Sequence, residues 1–121
     1  MEARTLELVF PSHANPMGNA FGGFVVGLMD KVGSYAAVRR AKKPVVTVAI
    51  GEVEFHVPIK VGDLLEVVAR VERVGRTSLT VLVEVYKERF VDGAETRVLA
   101  TQGRLTYVAV NEAGQPVPVD G

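Results

Sequence analysis

At Pro44 the apolar pattern of this chain changes its repeat from about 3.6 residues to two. Upstream, from about Ala20 to Arg40, no proline interrupts, and Val25, Leu28, Met29, Val32 and Ala36 recur at helical spacing. Arg39, Arg40, Lys42 and Lys43 crowd the end of that stretch, where cations suit a helix C-terminus, and Pro44 stops it. Downstream, Val45 to His56 reads as one or two strands, with Gly51 a candidate bulge or kink. Leu65, Val67, Ala69 and Val71 alternate with Glu66, Val68, Arg70 and Glu72. Leu79, Val81, Val83 and Val85 alternate with Thr80, Leu82, Glu84 and Tyr86. Both are long strands with one apolar face. Turns are expected at Pro58–Asp63, at Gly75-Arg76 and at Asp92–Glu95, and Val98 to Val110 is the last strand. Ahead of the helix, Thr5–Phe10 is a short strand and Pro11–Gly18 a loop. The tail from Asn111 to Gly121 has little pattern and is expected to be loose.

One long helix and about five mostly antiparallel strands make an α+β chain, and its 121 residues suit a single domain, 1–121. The helix is apolar over more than one face. A sheet wrapped around it covers one side, and a second subunit is the economical cover for the other. A hydrophobic fraction of 48% supports a real core. So short a chain still gains from oligomerisation.

The composition removes several function classes. Lys plus Arg and Asp plus Glu both number 14, so no overall basic field recruits nucleic acid. There is no cysteine, which excludes thiolate nucleophiles, disulfides and zinc–cysteine sites. Only His13 and His56 offer imidazole, so no metal centre is expected. His56, in an apolar strand, reads as a core residue, and His13 as a loop hydrogen-bonder. The Phe21–Met29 run falls far short of the roughly 20 residues that cross a bilayer. Met1–Arg4 is unlike a signal peptide, and a soluble cytoplasmic protein is expected.

Asp30 is the anomaly of the helix. An unpaired carboxylate in a dry site costs several kcal/mol unless it takes up a proton. The bland reading faces it to solvent beside Lys31 or pairs it with a cation. Yet Val26, Met29 and Ser34 are its helical neighbours, and Lys31 points about 100° away round the helix. Gly22-Gly23 sits near the helix start. It is either a simple turn or a place where free backbone N–H groups hold an anion or a polarised carbonyl oxygen. A carboxylate base or nucleophile together with an oxyanion donor are the two parts an acyl-transfer site needs. Gly23 and Asp30 lie seven residues apart, on one face but roughly 10 Å apart along the axis at about 1.5 Å per residue. One helix cannot bring both to one carbonyl carbon. Two helices running antiparallel across a two-fold axis can, which implies a composite site at a dimer interface.

His13-Ala14-Asn15-Pro16-Met17-Gly18-Asn19-Ala20-Phe21-Gly22-Gly23, followed by Leu28-Met29-Asp30, resembles the hotdog-fold acyl-CoA thioesterases. The similar branch is that of the short bacterial acyl-CoA hydrolases related to YciA and the cytosolic acyl-CoA hydrolases of animals. Val53–Pro58 with Gly62-Asp63, and Val74–Ser78, fit in order, so the resemblance covers nearly the whole domain. It implies a hotdog fold, a long central helix wrapped by an antiparallel sheet, and hydrolysis of acyl-CoA to free acid and CoA. It implies Asp30 as general base or nucleophile. The Gly23 N–H, with Gly22, would polarise the thioester carbonyl. Asn15 would orient water or carbonyl from the opposite subunit, and Ser34 is either a helper or a small residue at a helix contact.

Coenzyme A, as part of the substrate, implies no separate cofactor. Its phosphates call for cations at a tunnel mouth: Arg76 with Thr77 and Ser78 first, then Lys60. The Arg39–Lys43 cluster reads first as a solvated cap. Phe21, Phe24, Val25 and Met29 would line the acyl chain and set its length. The family assembles as paired dimers, tetramers or trimers of dimers. A non-catalytic acyl-CoA sensor on the same fold would need the pocket and not the carboxylate. A hotdog dehydratase would need a histidine that this helix lacks.

Overall fold

The computed structural model describes residues 2–91 and 93–121. Five strands and one long helix follow in the order β1 (Glu2–Leu8), α1 (Gly22–Ala41), β2 (Val45–Phe55), β3 (Leu64–Val74), β4 (Ser78–Val91) and β5 (Ala94–Ala109). A short 3-10 turn, Pro11–His13, leads from β1 toward the helix. The strands form one sheet in the order β1-β3-β4-β5-β2, antiparallel at every pair. This is the hotdog arrangement, with α1 as the filling.

The period of two explains which face is dry. Leu65, Val67 and Ala69 of β3, Leu79, Val81, Val83 and Val85 of β4, and Leu105 and Tyr107 of β5 are all buried. Register sets them in rows: Val67 opposite Val85, Ala69 opposite Val83, Val81 opposite Leu105 and Leu79 opposite Tyr107. Val25, Leu28, Met29, Val32, Ala36 and Ala37 of α1 join them in the same core. Fully burying such side chains contributes about 1.5–3 kcal/mol each for the larger ones.

The boundaries differ from the pattern reading where pairing, not periodicity, sets them. β1 begins at Glu2 because it pairs with β3 from Glu2 opposite Arg70 to Leu8 opposite Leu64. Val9 is buried just beyond its end, and Phe10 is exposed outside it. β5 starts at Ala94 because it pairs with β4 up to Val91; Asp92 of the expected turn lies outside the described residues. β2 is one strand, with its register broken between Thr47 and Ala49 and again between Ile50 and Val53. Gly51 sits in the second irregularity, where a Cβ would come 2.9 Å from the Arg104 carbonyl oxygen.

The tail is not loose. Val117 N–H donates to Ala109 O and Val119 N–H to Arg76 O, and Val119 is buried. Arg40 forms a two-pronged pair with Asp120, and Lys43 Nζ donates to the Pro118 and Val119 carbonyls. Arg39 donates to the Glu2 carbonyl. The basic cluster at the end of α1 therefore holds both chain ends, which no local pattern in the tail announces. Lys42 ends the helix in the left-handed conformation, φ 56°, with its N–H on Val38 O.

One carboxylate is buried outright. Asp63 lies ahead of β3 and accepts from Arg89 Nε at 2.8 Å and from the Lys60 N–H at 2.8 Å, with Lys87 at 3.7 Å. The turn it fixes is tied to the loop before α1: Ala20 N–H donates to Ile59 O and Val61 N–H to Gly18 O. The helix start is thus placed by a buried charge at the far side of the loop.

β1 and β2 are the sheet edges. On β2, Val46, Val48, Ile50 and Phe55 are all 45% exposed or more. An apolar strand with an open edge invites a partner strand.

Candidate active site

Asp30 is half-buried in the middle of α1. Its Oδ1 accepts the Thr47 hydroxyl of β2 at 2.7 Å and the Tyr107 hydroxyl of β5 at 3.1 Å. The same Tyr107 oxygen lies 2.8 Å from the Asp30 main-chain O. Among the described residues no donor reaches Oδ2. Burial first, and the Asp30 carboxylate next, push the Tyr107 hydroxyl far above the ordinary phenol range. It therefore stays protonated and acts as a donor. Among the described residues no cation pairs with Asp30; the half-buried carboxylate is held by two hydroxyls.

Gly22 and Gly23 open α1. The next two N–H groups, of Phe24 and Val25, turn back to Phe21 O, at 3.0 and 3.3 Å. The Gly22 and Gly23 N–H groups have no acceptor among the described residues, as the first turn of a helix leaves them. Both glycines are exposed, and a Cβ at Gly23 would meet nothing within 4 Å. Nothing within this protomer therefore requires a glycine at Gly23, and the backbone is open to approach from outside.

Asn15 stands in the loop ahead of the helix. Its Oδ1 accepts from the Met17 N–H at 3.0 Å and the Asn19 N–H at 3.1 Å. That fixes the amide, and its NH2 group has no acceptor among the described residues. His13 accepts the Phe10 N–H on Nδ1 at 3.1 Å and stacks on Phe24 at 4.0 Å between ring centroids. It is a loop hydrogen-bonder, as its place in the sequence indicates.

A groove of about 400 Å³ runs beside the helix start, lined among others by Asn19, Gly22, Val25, Phe55, His56 and Val57. His56 is exposed there and not in the core, because β2 ends at Phe55 and the chain leaves the sheet. Of the four residues assigned to an acyl chain, only Val25 lines this groove. Phe21 is exposed at the helix start, Phe24 is against His13, and Met29 is wholly buried, its Cε packed toward Gly103. Ser34 donates back to Lys31 O at 2.6 Å and makes no bond to Asp30.

The cation candidates part company. Lys60 bridges to Asn19 just before β3, whereas Arg76, Thr77 and Ser78 follow its far end. Eleven residues at about 3.3 Å each separate them by roughly 35 Å, so within one protomer they cannot grip one phosphate. Arg76 is exposed, while Thr77 O and Ser78 O serve the hairpin and β5. Among the described residues no cluster of His, Asp and Glu is arranged to hold a metal. Thr47 and Tyr107 are the site residues that sequence reading missed. Neither stands in a motif, and only the register of β2 and β5 against α1 brings them to Asp30.

The model of the thioesterase superfamily matches residues 17–94 of the chain. An uncharacterised acyl-CoA thioester hydrolase of Zymomonas mobilis is 38% identical over 93% of the chain and 74% of that protein. The cytosolic acyl coenzyme A thioester hydrolase of rat is 30% identical over 98% of the chain, which spans 31% of that longer protein. Among solved structures, the Staphylococcus aureus acyl-CoA hydrolase in complex with butyryl coenzyme A, coenzyme A and coenzyme A disulfide is 31% identical. It superposes with a TM-score of 0.90 over 97% of the chain and 70% of that protein. Structures of the same hydrolase exist with an asparagine, an aspartate or a threonine replaced by alanine. A hexameric hotdog fold thioesterase of Campylobacter jejuni is 34% identical, with a TM-score of 0.91 over 98% of the chain and 90% of that protein.

Proposed function

The chain belongs to the thioesterase superfamily, as a hotdog-fold acyl-CoA thioesterase of the YciA and cytosolic acyl-CoA hydrolase branch, and we propose that it hydrolyses acyl-CoA at Asp30. The products are the free carboxylic acid and CoA. The carrying observation is the carboxylate of Asp30, anchored through Oδ1 with Oδ2 unengaged, in an otherwise apolar helix. The positions replaced by alanine in the Staphylococcus aureus hydrolase have the same order and spacing as Asn15, Asp30 and Thr47. That supports a working set of these three residues.

The chemistry follows from the roles. Asp30 takes a proton from water, or attacks the thioester carbon itself. In the water route the new C–O bond forms as the carbonyl π pair moves onto oxygen. The Gly23 N–H, with Gly22, holds that oxyanion, aided by the dipole of α1. Collapse breaks the C–S bond, and the proton held by Asp30 goes to the leaving sulfur.

The minimal unit is a homodimer. β2 of one subunit pairs with β2 of its partner, burying Val46, Val48 and Ile50, and the helices run antiparallel. Asn15 and Gly23 of one subunit then serve Asp30 of the other, so each dimer has two sites. Hexameric relatives support assembly beyond this pair. Lys60 of one subunit and Arg76 of another are the cations offered to CoA. No helix of the described residues is long and apolar enough to cross a membrane. We place the enzyme in the cytoplasm, where a cysteine-free chain loses nothing to a reducing medium.

The test is thiol release from a panel of acyl-CoAs, short to long. Release of CoA supports the reading. Tight binding of every acyl-CoA without release overturns it and leaves an acyl-CoA sensor.

A further inference from the structure

Resting on that reading of Asp30, we propose that Tyr107, seated over Gly33, is the positioning residue that aims the Asp30 carboxylate at the substrate. Tyr107 is wholly buried on β5, and its hydroxyl crosses the core to α1. That hydroxyl has one proton and two acceptors, both on Asp30: the main-chain O at 2.8 Å and Oδ1 at 3.1 Å. One side chain therefore ties the carboxylate to the turn of helix that carries it.

Thr47 alone would leave the carboxylate free to turn. The terminal torsion of an aspartate is broad and roughly two-fold, so a single donor leaves the group room to rock about its Cβ–Cγ bond and to exchange its two oxygens. Thr47 reaches Oδ1 from β2 at 2.7 Å, and Tyr107 reaches the same oxygen from β5. Two donors from two strands define the plane of the group. Both fall on Oδ1, so Oδ2 is the oxygen left to meet water or the thioester carbon.

Gly33 makes room for this. A Cβ there would lie 2.4 Å from the Tyr107 hydroxyl, 3.2 Å from its Cζ and 3.3 Å from Val83 Cγ2. The phenol thus rests against the helix in space that any other residue would take. Glycine is a poor choice inside a helix on propensity grounds. At Gly33 the close approach of Tyr107 requires it. The hydroxyl is a lasting donor, because burial keeps it from ionising.

The test is steady-state kinetics of Tyr107→Phe, Gly33→Ala and Asp30→Asn, with CoA affinity and assembly state measured alongside. Tyr107→Phe keeps the ring and removes one donor. The expected result is a kcat lowered about 10- to 100-fold, KM within about twofold of wild type, and unchanged CoA binding. Gly33→Ala, which displaces the hydroxyl, is expected to show the same split. Wild-type kcat in Tyr107→Phe beside a dead Asp30→Asn overturns the role of Tyr107 and leaves Asp30 in place. A raised KM with unchanged kcat also overturns it. Full turnover by Asp30→Asn removes the reading of Asp30, and this inference with it. Should Tyr107→Phe fail to fold, a folded Gly33→Ala with wild-type kcat overturns the proposal.

Discussion

The Thr47 hydroxyl of β2 donates to Asp30 Oδ1 of α1 across 2.7 Å, so the carboxylate is anchored to the open edge of the sheet. Hydrogen bonds to charged groups contribute about 1.5–3 kcal/mol each, and this one holds a group whose orientation decides its use. Thr47→Ala is expected to lower kcat about 10- to 100-fold, and Thr47→Ser to recover most of it. Steady-state kinetics of the two variants checks this. Equal loss in both would mean that the methyl group, not the hydroxyl, matters.

In the proposed dimer Asn15 of one subunit serves Asp30 of the other, and mixtures of two inactive variants test that sharing. Asn15→Ala and Asp30→Asn homomers are each expected to be inactive. Mixed dimers should regain activity, because one of their two sites draws both intact residues. Subunit exchange verified by mass spectrometry, followed by thiol release, is the check. No recovery after exchange would place both residues in one subunit's own site.

The Asp63–Arg89 pair carries the turn against which the Asn15 loop is fastened. Asp63 has no solvent exposure, so removing its main cation leaves a buried charge short of a partner. Arg89→Ala is expected to cost about 3 kcal/mol of stability. Urea unfolding of the variant measures it. A change below about 0.5 kcal/mol would show that Lys87 and the Lys60 N–H suffice.

Tyr107 links stability to alkaline pH. In the folded protein its hydroxyl is raised far above the ordinary value of about 10, so on unfolding above that pH it gives up a proton. Its contribution is complete below about pH 10 and declines as pH rises beyond, by up to about 1.4 kcal/mol per pH unit. Urea unfolding at pH 9 and pH 11 should show a larger loss in wild type than in Tyr107→Phe. Equal losses would mean that Tyr107 ionises in the native state.

Much of this molecule is legible before folding. The change of period at Pro44 separates α1 from the sheet, and the alternation at Leu65–Val71 and Leu79–Val85 marks the faces that bury. The Gly51 irregularity follows from a glycine inside a strand pattern. Asp30 stands out because a carboxylate in an apolar helix needs a reason. What cannot be read is whatever depends on register between distant strands. Thr47 alternates among valines like any strand threonine, and Tyr107 sits in a strand with no motif. Lys60 and Arg76 look like neighbours in purpose until β3 is seen to stand between them. The tail lacks pattern because its partners, Arg40 and Lys43, belong to the helix end and not to the tail itself.

The most direct measurement is thiol release by wild type and Asp30→Asn, with CoA affinity measured on both. The account predicts release by wild type, at least about a 10²-fold lower rate in Asp30→Asn, and the same CoA affinity in each. Equal rates in the two proteins would contradict it, and the chemistry would have to be sought elsewhere in the fold.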